Sequence, residues 1–141
     1  MKAFTDIEQS KKLAEILPIE SADMHYVRKT HDFRGNPVDG KWSYPEYGNP
    51  NSKHAGYVVQ NFESYEKIPC WSLAALLNYF REIDFFPEID ADEHSVTMSI
   101  DYYDEDEGKL LIPVHNIEVK AENFIDACYE MVEKLHAENL I

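Results

Sequence analysis

The chain has 141 residues, with 13 Lys+Arg against 27 Asp+Glu and a formal net charge of −14. That length suits one compact domain able to bury its own core, and the excess of carboxylates has the wrong sign for gripping nucleic-acid phosphates. No apolar run approaches the ~20 residues of a membrane span, and the start, Met1 to Asp6, lacks the apolar stretch of a secretion signal. The two cysteines, Cys70 and Cys128, do not make a disulfide framework, so a cytoplasmic location is expected.

Thr5-Asp6-Ile7-Glu8 has the spacing of a capping box with Thr5 as its cap, and predicts a helix over 5–17 that stops before Pro18. Met24 to Lys29 is a short candidate strand. Residues 30–66 form a long irregular segment rich in Gly, Pro and aromatics, in which Trp42-Ser43-Tyr44 and Gly56 to Gln60 are the places where short strands would fit. Pro69-Cys70-Trp71 opens a second helix over 70–82, with Leu73, Leu76, Leu77 and Phe80 on one apolar face. Ser95 to Tyr103 alternates: Val96, Met98, Ile100 and Tyr102 face one way, Thr97, Ser99 and Asp101 the other. Asp104-Glu105-Asp106-Glu107-Gly108 reads as its turn and Lys109 to Val114 as the returning strand, with Pro113 marking a sheet edge. Asn123 caps a last helix over 123–138, whose stripe of Phe124, Ile125, Cys128, Met131, Val132 and Leu135 makes Cys128 a packed thiol. The expected architecture is α+β: one domain, three helices on a small antiparallel sheet centred on a hairpin at 95–114.

Three blocks of the chain carry a resemblance. Ile7-Glu8-Gln9-Ser10-Lys11-Lys12-Leu13 followed by Ser21-Ala22-Asp23-Met24, then Ile68-Pro69-Cys70-Trp71-Ser72-Leu73-Ala74-Ala75-Leu76-Leu77, then Ile125-Asp126-Ala127-Cys128-Tyr129-Glu130-Met131, resemble a family of small uncharacterised proteins encoded in gut-bacterial genomes, phages and mobile elements. The blocks are core-forming segments, and the resemblance implies no activity. Members often carry Ala where this chain has Cys70, which argues against chemistry at that position.

The candidate chemistry is sparse. A thiol hydrolase would use Cys70, activated by the helix start that the sequence places there. His115 would be its base, and Asn116 or Asp101 would orient the ring. The six histidines show no helical i, i+4 pair and there is no CxxC, so no metal site and no cofactor are expected. Neither acidic run, Asp90 to Glu93 or Asp104 to Glu107, fits a calcium-binding loop. The charge is unevenly distributed: residues 1–61 carry 8 basic and 8 acidic groups, and residues 62–141 carry 5 and 19. Glu82 to Glu107 alone holds eleven carboxylates and no Lys or Arg.

Two surfaces are therefore candidates for binding. One is the aromatic segment with Trp42, Tyr44 and Tyr47, which serves either as a recognition surface or as a second layer of core, the latter being favoured. The other is the acidic patch of Asp101, Asp104, Glu105, Asp106 and Glu107. The expectation is a non-enzymatic protein that binds another macromolecule, a protein partner with a basic surface. The alternatives are the Cys70/His115 hydrolase and an acidic mimic of nucleic acid that occupies a basic groove.

Overall fold

A computed structural model describes residues 2–49, 64–103 and 114–141. Among the described residues, three α-helices and two three-stranded antiparallel sheets give the expected α+β class, with two sheets where the sequence indicated one. The chain divides into two compact units, residues 3–76 and residues 77–141 together with Lys2.

The first unit opens with α1, Ile7–Ile16. Its cap is Asp6, one residue later than the sequence spacing suggested. The Asp6 carboxylate accepts the Gln9 N–H at 2.8 Å and the Gln9 side chain accepts the Asp6 N–H at 3.1 Å. Thr5 is left free for another task, because its side chain is turned into the interior. Ser10, Leu13 and Leu17 fall three and four residues apart on the buried face, and Leu17 is already extended ahead of Pro18.

Strand β1, Met24–His31, is longer than expected and occupies the centre of the first sheet. On one side it pairs with the two-residue strand β2, Glu46–Tyr47. On the other it pairs with β3, Ser64–Cys70, in a register that sets Met24 against Cys70 and Tyr26 against Ile68. The irregular segment after β1 is not structureless. Asp32 accepts the N–H groups of Arg34 and Asn36, and with Gly35 at φ +77° it reverses the chain. The return leg is then tied to β1 by Val38 N–H to the Thr30 carbonyl and Ser43 N–H to the Val27 carbonyl. Gly40 permits this approach, since a Cβ there would stand 2.2 Å from the Lys29 carbonyl oxygen. No regular strand forms at Trp42–Tyr44; the ladder resumes at Glu46. The candidate strand at 56–60 lies outside the described residues.

Helix α2, Leu73–Glu82, starts three residues later than expected. Its true cap is Ser72, whose hydroxyl accepts the Ala75 N–H and whose carbonyl accepts the Leu76 N–H. Asp23 fixes that cap by accepting both the N–H and the hydroxyl of Ser72. Cys70 therefore ends a strand and does not begin a helix. Pro69 hid the strand, because its missing N–H is tolerated at the sheet edge that β3 occupies. The helix closes with Asp84 N–H on the Arg81 carbonyl and Phe85 N–H on the Phe80 carbonyl, around Asp84 at φ +60°.

The second unit contains β4 (Glu88–Ala91), β5 (Val96–Tyr103) and β6 (Val114–Ala121), in the order β4-β5-β6. Asp92 builds the β4–β5 turn: its N–H reaches the Ser95 carbonyl, and its carboxylate accepts the N–H groups of His94 and Ser95. Those backbone bonds hold the Asp92 carboxyl below the usual carboxylate range. Among the described residues the returning strand of the main hairpin runs over Val114–Ala121, beyond the expected end at Val114, while the expected return over 109–113 lies outside the described residues. Ile117 and Val119 are the apolar pair that meets Ile100 and Met98, and a strand ending at Val114 would leave them unused. The expected turn at 104–108 and Pro113 lie outside the described residues.

Helix α3, Phe124–Ala137, packs on β5 and β6. Asn123 caps it as predicted, accepting the Asp126 N–H at 2.8 Å, and Asp126 also takes the Lys2 ammonium at 2.7 Å. Ile125, Cys128, Met131, Val132 and Leu135 are fully buried in this unit, as are Met98 and, almost fully, Ile100. Burial at this level contributes about 1.5–3 kcal/mol for each large side chain, which is why the alternating pattern of β5 was legible from sequence.

Candidate functional site: a tyrosine-bearing loop on the first sheet

Cys70 fails the requirements of a nucleophile. It is wholly buried, and burial pushes its thiol up despite hydrogen bonds from Thr5, Ser10 and Tyr26 that favour the thiolate. It does not stand at the start of α2, which begins at Leu73 behind the Ser72 cap. The thiol is instead part of an interior polar cluster centred on Thr5. The Thr5 hydroxyl accepts the Trp71 N–H at 3.1 Å, meets the Ser10 hydroxyl at 2.8 Å and donates to Cys70 Sγ at 3.7 Å. The Thr5 carbonyl accepts the Tyr26 hydroxyl at 2.7 Å and the Cys70 thiol at 3.5 Å. With Ser10 donating, every hydrogen-bonding position of the Thr5 hydroxyl is used. This is a latch joining residues distant in sequence, and no atom of it faces solvent as a reactive group.

The other hydrolase residues are also differently occupied. His115 stands opposite Tyr102 across β5–β6, with the two rings stacked at 4.9 Å. Asp101 and Asn116 are one position along in the same ladder, so strand alternation puts them on the opposite face from His115. They pair with each other, Asn116 Nδ2 donating to Asp101 Oδ1 at 2.7 Å, and neither orients the imidazole. Cys128 is sealed too, its thiol pushed up to about 12 by burial alone. Among the described residues no cluster of His, Cys, Asp and Glu has the arrangement of a metal site. Likewise, no helix of the described residues is long and apolar enough to cross a membrane.

The acidic patch is described only in part. Asp104 to Glu107 lie outside the described residues. Asp101 is exposed on the open face of the second sheet, the face that also carries Glu88, Asp90 and Glu118. Lys120 shares that face, opposite Thr97.

The aromatic segment is the best-built surface. Trp42 belongs to neither extreme: it is half-buried, packs against the cluster of Met24, Tyr26 and Cys70, and carries the Arg28 guanidinium 5.0 Å above its ring. Arg28 is in turn held by Glu66 on β3. Ser43 exchanges two hydrogen bonds with Val27, and Pro45 is buried. His25, itself buried, donates Nδ1–H to the Gly48 carbonyl at 2.7 Å and turns Nε2 toward Glu46 at 3.5 Å. Asn49 closes the segment by donating to the carbonyls of Ile19 and Ala22.

On this frame two rings stand outward. Tyr44 is 79% exposed and meets the Phe4 ring edge-to-face at 5.3 Å, and Tyr47 is 84% exposed. Of the aromatics expected to fold inward as core, Trp42 does so in part, while Tyr44 and Tyr47 stand outward. No local signal separates them, since exposure depends on the register of residues 42–47 against β1. Comparison of the chain with protein-family models, with curated proteins and with solved structures finds no match.

Proposed function

We propose that the chain is a non-enzymatic binding protein whose partner is another protein, engaged through Tyr44 and Tyr47. The observation that carries this reading is the exposure of two large rings on a loop whose backbone is fixed from beneath by Val27, His25, Asp23 and Gly48. Exposed tyrosines offer wide contact area and lose little freedom on binding, and a fixed backbone removes most of the ordering cost. The chain's charge of −14 favours a partner with a basic surface, through faster encounter at low salt.

The test is a photo-crosslinking residue placed at Tyr47 in the full chain inside the native cell, with the same residue at exposed Glu130 on α3 as control. A discrete protein adduct from position 47, lost when Tyr44→Ala is added, supports the reading. Adducts equal at both positions, or none at 47, refute it. Tyr44→Ala leaves folding within roughly 1 kcal/mol of the parent, the scale of one edge-to-face contact, so loss of the adduct is not loss of structure.

A further inference from the structure

The second unit carries a different surface, which does not depend on the aromatic loop. Strand β4 is the outer strand of the β4-β5-β6 sheet, and no described residue pairs with its far side. All four of its residues are exposed. The directions of its backbone groups follow from the turn: Asp92 and Ser95 form a hydrogen-bonded pair, so alternation directs the amides of Glu88 and Asp90 toward β5 and those of Ile89 and Ala91 outward. The free edge therefore offers the N–H and C=O groups of Ile89 and Ala91 as a template for another strand.

The side chains along that edge are of two kinds. Glu88 and Asp90 project to the open face of the sheet, in line with Ser99 and Thr97. Ile89 lies on the other face, in line with Met98, and keeps 38% of its surface exposed; Phe86, just before the strand, keeps 67%. An edge guarded by one sign of charge repels a second copy of itself but not a strand of the opposite sign. Around it, the stretch Glu82 to Glu107 contains no Lys or Arg, and on the open face the described base, Lys120, stands two strands away.

We infer that the outer edge of β4 accepts an extended basic segment of a partner protein by strand addition. Lys or Arg at alternate positions would lie over Glu88 and Asp90, and the intervening apolar residues would lie beside Ile89. Backbone pairing supplies the grip and the alternating side chains supply the selectivity.

The probe is a short fluorescent peptide alternating Lys and Val, titrated against the full chain by anisotropy, with amide hydrogen exchange read on the same mixture. Saturable binding with new protection at Ile89 and Ala91 is expected. So is a loss of about tenfold or more in Ala91→Pro, which removes an outward N–H while leaving the β4–β5 ladder intact. The Glu88→Lys/Asp90→Lys variant should lose binding, whereas Tyr44→Ala/Tyr47→Ala should keep it, which separates this edge from the aromatic loop. A peptide of the same composition with its lysines in one block should bind at least tenfold more weakly. Equal binding of the block peptide, binding without protection at Ile89 and Ala91, or no binding overturns the inference. The exchange result stands on the unmodified chain, so it decides the matter even if Ala91→Pro does not fold.

Discussion

Thr5→Val removes one hydroxyl from the interior and keeps the shape of the side chain. Val has the same branching at Cβ, so neither backbone nor rotamer need change. Three buried contacts are then lost: the Trp71 N–H, which bonds Thr5 Oγ1 at 3.1 Å, the Ser10 hydroxyl at 2.8 Å and the weak bond to Cys70 Sγ at 3.7 Å. A backbone donor stranded in the interior costs about 1–3 kcal/mol, and a neutral hydroxyl bond contributes about 1 kcal/mol. The added methyl returns up to ~0.8 kcal/mol. The expected net loss is about 2–3 kcal/mol, a large share of the roughly 5–15 kcal/mol that holds a domain together. Urea denaturation followed by tryptophan fluorescence is the assay, because both tryptophans, Trp42 and Trp71, lie in the unit formed by residues 3–76. A double variant adding Ser10→Ala should cost less than the sum of the two single changes, since the two share the Thr5–Ser10 hydrogen bond that the first has already removed. A Thr5→Val midpoint within ~0.5 kcal/mol of the parent would show that the latch does not hold α1 and the strand end together, and the reasoning would fail.

Two further outcomes follow from the geometry. Both cysteines should resist alkylation in the native chain across neutral and mildly alkaline pH, and both should react at ordinary rates once the chain is unfolded. Their raised pKa keeps the thiols neutral in the fold, so stability from this source is full below the unfolded pKa and declines only as pH rises past it; rapid labelling of native Cys70 at neutral pH would contradict its burial. Asp84→Gly should raise stability by about 1 kcal/mol, because Asp84 closes α2 in a left-handed conformation that glycine adopts without cost. Thermal unfolding of the two chains compares them directly, and an unchanged or lowered midpoint would mean that the Asp84 side chain contributes more than its strain removes.

What the sequence determined by itself were the elements whose signals are local. The stripe of α3, its Asn123 cap and the alternation of Val96, Met98 and Ile100 all depend on neighbours within four residues, and the physics of capping and periodicity acts at that range. The uneven charge was also legible, since it is composition. Tertiary structure decided the rest. Cys70 looked like a helix start because Pro69 precedes it, yet pairing with Met24, 46 positions away, makes it the end of a strand. Thr5 looked like a cap until Trp71 and Ser10 claimed its hydroxyl. Tyr44 and Tyr47 could not be told from Trp42, for an aromatic ring carries the same hydrophobic signal whether the chain's register turns it inward or out. Register is set by bonds between Ser43 and Val27 and between Gly48 and Asp23, and such long-range pairings leave no trace in the local pattern of residues.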